Sequence, residues 1–160
     1  MALPQLTTSK YELTLPSTGQ KVEYRPFLVK EEKTLMIAQQ TGKESDMIRA
    51  VQNIVSACTF EAVNSKSMPL FDLEYVFLQL RSKSVGEIAK LKVKCPDDGE
   101  TEVEVDVPLD KITCVKEVGH DTKIELTDTI GIIMKYPTVD IMIGIDTKDE
   151  AASTFKIIKR

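Results

Sequence analysis

The N-terminal part of the chain alternates between apolar and polar positions. Residues 10–15 place Tyr and Leu against Lys, Glu and Thr, which is the period of a half-buried β-strand. Residues 16–19 read Pro-Ser-Thr-Gly, a composition typical of a turn. The extended pattern resumes over residues 21–25, and Pro26, which cannot donate a hydrogen bond to a sheet, should end that strand or place it at an edge. The pattern therefore predicts an N-terminal β-hairpin.

The next part of the chain changes to the period of a helix. Helix formers begin at Lys30, two glutamates favour a helix start there, and Gly42 is predicted to end the helix. A second helix is predicted to begin near Ser45 or Asp46. Its apolar positions fall on a single face: Met47, Ile48, Val51, Ile54, Val55 and Cys58.

A third helix, over residues 71–84, is predicted to be the element around which the rest of the chain packs. Its apolar residues Leu73, Val76, Phe77 and Leu80 recur at helical spacing. We expect Asp72 to be the N-cap, with Phe71 folding back over the first turn as a hydrophobic staple. Arg81 and Lys83 suit the C-terminal end of the helix dipole, and Gly86 is the predicted stop.

The C-terminal half reads mainly as strands. Residues 88–95 and 101–107 both alternate and are separated by a Pro-Asp-Asp-Gly-Glu turn, which predicts a hairpin. One register satisfies both of its faces, because a slip by one residue would put lysines opposite valines. The predicted pairs are Lys90–Asp106, Leu91–Val105, Lys92–Glu104, Val93–Val103, Lys94–Glu102 and Cys95–Thr101.

Further extended pieces are predicted beyond this hairpin. Residues 112–115 and 123–126 suggest short extended pieces, and Pro137 separates two strongly apolar runs, 130–136 and 139–145. Length and isoleucine content favour strands for both runs, although periodicity alone leaves short buried helices open. Residues 148–158 carry apolar positions at the spacing of a last helix.

Together these elements predict an α+β fold with an N-terminal β-hairpin, about three helices and then an antiparallel β region. The 160 residues are expected to form a single domain, 1–160, with a helical subregion 30–84 and a β-rich subregion 87–145. A chain of this length can bury a core large enough to fold unaided. The predicted elements do not alternate as strand–helix–strand units, which is the order typical of nucleotide-binding folds.

Composition narrows the function classes. The net charge of −4 argues against a nucleic-acid partner, since phosphate binding needs a clustered basic surface. No stretch approaches the roughly 20 apolar residues of a membrane span. Cys58, Cys95 and Cys114 are odd in number and widely spaced, which favours reduced thiols in a cytosolic setting. Cys58 lies on an apolar helix face and is expected to be a packed thiol.

Candidate chemistry is sparse, and we expect neither an enzyme nor a bound cofactor. His120, the single histidine, is followed by Asp121, but adjacent residues rarely face each other. A small hydrolase that uses His120 is the alternative hypothesis from another class. The Cys95 turn resembles half of a zinc knuckle with Asp98 in place of the second Cys, which leaves too few ligands for a structural zinc.

Several landmarks in order carry a family resemblance. They are residues 24–33, residues 71–81, the Cys95 hairpin and the Met-Lys-Tyr-Pro sequence ending at Pro137. This combination resembles the base plate proteins of T4-type bacteriophages, which are hub subunits and hub assembly factors of contractile tails. Some relatives carry a complete Cys-x-x-Cys knuckle where this chain has Cys95 and Asp98.

The resemblance implies a non-enzymatic role in the assembly or structure of the baseplate central hub. The implied partners are other hub or tail proteins, met in the host cytoplasm during assembly and in the tail baseplate of the virion. The alternative is a transient chaperone for the tape-measure protein or another hub component.

The landmarks, together with the frequency of aromatic and arginine anchors at interfaces, give a candidate set of partner-binding residues. Its members are Arg25, Phe27, Phe71, Arg81 and Tyr136. The competing interpretation is that the three aromatic residues fill the core. Arg81 is the member that a core role explains least well.

Overall fold

The computed structural model describes residues 8–117, 119–127 and 129–143. These residues form an α+β fold, as predicted, and the predicted helix over 148–158 lies outside them. The elements in chain order are β1 (Tyr11–Thr14), β2 (Lys21–Tyr24), α1 (Val29–Thr41), α2 (Glu44–Cys58), α3 (Leu70–Ser84), β3 (Ile88–Lys94), β4 (Glu102–Pro108), a short 3₁₀ helix (Leu109–Lys111), β5 (Lys123–Thr127), β6 (Ile130–Ile133) and α4 (Val139–Ile143). Within the described ranges the strands pair as three separate two-stranded antiparallel sheets, β1–β2, β3–β4 and β5–β6.

The N-terminal hairpin is confirmed. Strands β1 and β2 pair with Leu13 opposite Val22, and both side chains are buried. Gly19 in the turn adopts φ 71°, a left-handed conformation that favours glycine, and its N–H donates to the Leu15 carbonyl at 2.8 Å. One face of the hairpin therefore closes over the helical core.

Helices α1 and α2 also lie where the pattern predicts them. Gly42 follows α1 in the left-handed conformation, with φ 66°, and its N–H donates to the Gln39 carbonyl. The apolar face of α2 turns inward, with Ile54, Val55 and Cys58 buried and its N-terminal turns half-buried. Most of α1 remains exposed, so α2 makes the larger contribution to the core.

The predicted start of α3 is wrong. The helix begins at Leu70 with Pro69 at the N-cap position, and the Pro69 carbonyl accepts the Leu73 N–H at 3.1 Å. Asp72 is thus inside the first turn, where its buried carboxylate accepts hydrogen bonds from the Ser17 hydroxyl and from the Ser17 N–H at 3.0 Å. The carboxylate ties α3 to the β1–β2 turn and is not a cap.

The other end of α3 agrees with the sequence. The helix ends at Ser84, Val85 is the C-cap, and Gly86 follows with φ 148°. At the start, Phe71 lies inside the helix and packs against Tyr136, so the predicted staple is not formed.

The core confirms α3 as the central element. Val76 and Leu80 are fully buried, together with Val55 and Cys58 of α2 and Val139 of α4. The N-terminal hairpin completes this cluster with four side chains: Leu13, Leu15, Val22 and Tyr24.

The β3–β4 hairpin has the register that the sequence predicts at every pair from Lys90–Asp106 to Lys94–Glu102. The N–H of Cys95 donates to the Thr101 carbonyl at 2.8 Å and continues the same register. The close ion pairs found among the described residues all lie outside this hairpin, so its opposite charges act as register markers.

Residues 112–117 follow the 3₁₀ helix without joining a strand, and Ile112 has the extended backbone that the sequence predicts. One prediction for the C-terminal half is wrong. The run after Pro137 forms helix α4 where strands were favoured. Thr138 bridges to Pro69, the Val139 N–H donates to the Met68 carbonyl at 3.3 Å, and Val139 enters the core as the helix starts.

Strands β5 and β6 fall within two of the predicted extended runs. They pair as a hairpin with a bulge between Glu125 and Thr127. The division into one domain with a helical and a β-rich subregion stays a prediction.

The central role of α3 predicts a large loss of stability from a cavity there. Leu80→Ala should lower the free energy of unfolding by roughly 2–5 kcal/mol, because Leu80 is fully buried and the core can relax only in part. Chemical denaturation monitored by circular dichroism measures this change.

The matched control makes the same substitution at an exposed position. Leu91→Ala, where the side chain is 48% exposed, should cost about 1 kcal/mol or less. Equal losses for the two variants would contradict the assignment of α3 as the centre of the core.

Candidate partner-binding surface

The first turn of α3 and the segment before α4 bring two of the candidate residues together. The rings of Phe71 and Tyr136 meet edge to face, with centroids 4.9 Å apart and an interplanar angle of 83°. His120 stacks on Tyr136 with centroids 5.8 Å apart, and its Nε2 lies 2.8 Å from the tyrosine hydroxyl. Three aromatic rings thus form a continuous row beside the core.

An open cleft of about 210 Å³ lies against this row. We call it the aromatic cleft, and its lining residues are Pro16, Phe71, Cys114, Val115, Lys116, Glu117, His120 and Tyr136. Val115 is 83% exposed and the cleft opens directly to solvent. Its apolar walls and polar rim suit an aromatic or aliphatic side chain supplied by another protein.

Arg25 and Phe27 lie at the other end of α3 and serve the fold. The guanidinium of Arg25 donates to Glu31 at 2.9 Å and to the Pro26 carbonyl at 3.0 Å, and both charged side chains are largely buried. Phe27 packs against the core, and its N–H donates to the Ser84 hydroxyl at 2.9 Å. These contacts leave little of the surface of either side chain free to contact a partner protein.

The Arg25–Glu31 pair also fixes the start of α1. Glu31 accepts the Leu28 N–H at 2.8 Å, which satisfies one of the free donors at the helix N-terminus. Partial burial alone would raise the pKa of Glu31, but the hydrogen bonds from Arg25 and Leu28 outweigh it and hold this pKa below its ordinary value.

Arg81 is half-buried on α3, and within the described ranges its side chain makes no hydrogen bond or ion pair. It lies one turn before Ser84. Ser84 lies thirteen positions after Phe71, which is about 20 Å along the helix axis at 1.5 Å per residue. The candidate residues therefore divide between the two ends of α3: Phe71 and Tyr136 at one end, and Arg25, Phe27 and Arg81 at the other.

The His120 region does not have the geometry of a catalytic dyad. Asp121 accepts the Lys123 N–H at 3.2 Å instead of facing the imidazole. Cys114 lines the same cleft as His120, but no hydrogen bond joins the two side chains in the part of the chain that the structure describes, and Nε2 is already engaged by Tyr136. His120 lies in an exposed loop, as the sequence predicts.

The cysteines and carboxylates have other roles. Asp98 accepts the N–H groups of Glu100 and Thr101 and the Thr101 hydroxyl, so it shapes the turn after Cys95, and these bonds lower its pKa. Among the described residues no group of three or more His, Cys, Asp or Glu side chains is placed to hold a metal ion. Burial raises the pKa of the Cys58 thiol to about 11, which agrees with a packed thiol.

Sequence reasoning missed two open apolar surfaces, one on each C-terminal hairpin of the described residues. On one face of the β3–β4 hairpin, Leu91, Val93, Val103 and Val105 are 41–52% exposed. The β5–β6 hairpin likewise exposes Ile124, Leu126, Ile130 and Ile132. The alternating pattern gave no signal of this exposure, because a covered strand and an uncovered strand show the same period of two.

The fold and these surfaces define a small α+β protein with two exposed apolar hairpins. A comparison with models of protein families matches residues 8–160 to the family described as T4 bacteriophage base plate protein. The chain therefore belongs to that family. Membership makes it a phage baseplate protein, which associates with the virion tail and contacts other phage structural proteins.

The other comparisons add no relative. A search of curated proteins and a search of solved structures each found no significant match. Among the described residues, no helix has both the length and the apolar character needed to cross a lipid bilayer.

The lowered pKa of Glu31 predicts how stability depends on pH. The charged carboxylate stabilises the fold above its ordinary pKa of 4.5, and this contribution should be lost as the pH falls from 4.5 through the lower pKa of the folded state. Glu31→Gln should therefore cost roughly 1–3 kcal/mol at neutral pH and flatten this part of the profile. Denaturation at a series of pH values measures both effects.

Glu32→Gln is the matched control, because Glu32 is the adjacent acid in the same helical turn and no ion pair is found for it among the described residues. It should change the free energy of unfolding at neutral pH by no more than about 0.5 kcal/mol. A Glu31→Gln profile parallel to the wild type would show that the Arg25 pair does not contribute.

Proposed function

We propose that the protein acts without catalysis in the assembly or structure of the central hub of the baseplate. Family membership over residues 8–160 supports the baseplate as its place of action. The observation that carries the proposal further is the uncovered apolar face on each of two hairpins, since a protein that works through contacts keeps such surfaces for its neighbours.

The exposed apolar side chains of the two hairpins can stabilise a complex. Apolar surface removed from water contributes about 25 cal/mol per Å², so each half-exposed valine, leucine or isoleucine stabilises the complex when a neighbouring protein covers it. These residues contribute little to the isolated fold. Their contribution comes on joining other hub or tail proteins, which are the proposed partners.

The aromatic cleft is the second proposed contact. Phe71 and Tyr136 hold each other edge to face, so a partner side chain would meet rings that are already ordered and lose less conformational freedom on binding. Arg81 is proposed as a separate contact at the other end of α3, on the basis of a side chain without an internal partner among the described residues. Arg25 and Phe27 are weaker candidates for partner contacts, because both residues are already engaged in contacts within the fold.

The decisive experiment removes the gene from the phage and compares particles. The proposal expects loss of infectious tails when the protein is absent, together with recovery of the protein at a fixed copy number by mass spectrometry of purified wild-type virions. A required protein that is missing from mature virions would support the transient chaperone instead. Normal tails without the protein would contradict both roles.

The aromatic cleft is tested by variants of Tyr136. Tyr136→Ala removes the ring that packs on Phe71 and should lower capture of hub proteins by the tagged chain by about tenfold or more, the loss expected for an aromatic interface anchor. Tyr136→Phe keeps the ring, with its contacts to Phe71 and to the imidazole of His120, and loses only the hydroxyl contact with His120 Nε2, so it should capture nearly as much. Pull-down from infected cells with quantitative mass spectrometry measures capture.

Arg81→Ala is the companion test for the other end of α3. Capture that is unchanged in Arg81→Ala would remove Arg81 from the proposed surface. Unfolding curves for each variant separate lost binding from lost stability.

A further inference from the structure

The β3–β4 hairpin extends from the body as a sheet of two strands. Its base is anchored, since Ala89 and Leu109 are buried and the Leu109 N–H donates to the Glu87 carbonyl at 2.8 Å. From Lys90 to Lys94 and from Glu102 to Asp106 every residue is exposed. Each strand therefore presents one edge with which no described residue pairs, and an open edge is a template for pairing with another strand.

The hydrogen-bond pattern shows which backbone groups face those edges. Opposite residues in an antiparallel pair alternate between hydrogen-bonded and non-hydrogen-bonded positions. Two hydrogen-bonded pairs mark the ends of the hairpin, Glu87–Leu109 and Cys95–Thr101. Counting in steps of two along the register, the apolar pairs Leu91–Val105 and Val93–Val103 are also hydrogen-bonded positions. The charged pairs alternate with these, and the backbone groups of the charged residues point outward to the open edges.

The two edges carry opposite charge. The outward positions of β3 are all lysine, at 90, 92 and 94, and the outward positions of β4 are all acidic, at 102, 104 and 106. An edge of β3 laid against another β3 would bring lysines together, and β4 against β4 would bring carboxylates together. Like charges on adjacent strands are destabilising, so either symmetric pairing is disfavoured.

We propose that the partner of this hairpin is a second copy of the chain, added head to tail with the β4 edge of one copy on the β3 edge of the next. Strands then alternate in direction across the junction as they do within the hairpin, so the added ladder is antiparallel. Each junction repeats the Lys-to-acid pairing. The apolar stripe of Leu91, Val93, Val103 and Val105 becomes continuous from copy to copy.

The symmetry of such a junction has a consequence for the product. The two surfaces in contact are different, so each added copy presents the same free edge as the last. Contacts of this kind build a ring when the rotation closes and an open filament when it does not. Because sheets twist and curve, a closed ring could turn the apolar stripe inward and bury it.

Proline at an outward position tests the proposal directly. Lys92→Pro and Glu104→Pro each remove an N–H that faces the open edge and is not used within the hairpin. The wild type should form oligomers larger than a dimer, and each variant alone should be a monomer. An equimolar mixture should give a heterodimer that grows no further, because one variant keeps the β4 edge and the other keeps the β3 edge. Sedimentation velocity measures all four samples.

Charge reversal gives a second test that leaves the backbone unchanged. One variant carries Lys90→Glu, Lys92→Glu and Lys94→Glu, and the other carries Glu102→Lys, Glu104→Lys and Asp106→Lys. Each alone should be a monomer, and the mixture should assemble in alternation and weaken with added salt. Assembly that returns on mixing cannot result from charge pairing within a hairpin, because the reversed and the unchanged side chains of each variant hairpin have the same sign of charge.

A wild-type protein that stays monomeric at every soluble concentration would overturn the proposal. Proline variants that assemble like the wild type, or charge-reversed variants that fail to assemble when mixed, would also overturn it. A dimer that survives both edge prolines would indicate stacking of apolar faces instead of edge pairing. These measurements use the purified chain alone, so they are independent of the phage experiments that test the hub role.

Discussion

The burial of one stripe of α3 supports the rest of the described structure. Val76 and Leu80 are fully removed from water, and α2, the N-terminal hairpin and α4 each supply side chains to the same cluster. Polar contacts fix the ends of the helix: Asp72 holds the turn of the β1–β2 hairpin at the start, and Ser84 receives the N–H of Phe27 at the end. The N–H of Arg25 donates to the Cys58 carbonyl at the end of α2, so α2 and α3 together hold the segment that follows the hairpin.

The two halves of the chain differ in how they use apolar residues. Before β3 most apolar side chains of α2, α3 and the hairpin β1–β2 are buried or half-buried within the protein. After Leu109 most large apolar side chains of the described residues are exposed, although they alternate as regularly as those of a buried sheet. This arrangement fits a baseplate protein, whose neighbours can supply the missing side of a sheet. The aromatic cleft lies between the two halves, where the segment leading to α4 returns to α3.

The sequence predicted most accurately where two independent constraints agreed. The register of β3–β4 followed from charge and apolar pairing together, and α2 followed from its single apolar face. It failed where a distant residue decided the outcome. Asp72 is a residue type that often caps helices, but its carboxylate accepts hydrogen bonds from Ser17, 55 positions away. Sequence rules for helix caps consider only neighbouring residues, so they could not predict this contact. For residues 139–143 the apolar pattern allowed a strand or a helix, and the contact of Val139 with the core selected the helix.

The candidate site was predicted only in part for the same reason. Phe71 and Tyr136 meet although they are distant in sequence, whereas Arg25 and Phe27 are occupied by Glu31 and Ser84. Exposure of the hairpin faces depends on what else packs there, and alternation alone does not report it. The family resemblance indicated the class of protein correctly, but not which surfaces are open.

The placement of the three thiols offers a ready means of observing assembly. A cysteine reacts as the thiolate, so Cys58, with a pKa of about 11 and no exposure, stays inert toward alkylating dyes at neutral pH. Cys114 is exposed on the wall of the aromatic cleft, and Cys95 lies half-buried at the tip of the β3–β4 hairpin. A fluorophore would therefore attach to the native chain at two of its proposed contact surfaces and leave the interior unlabelled.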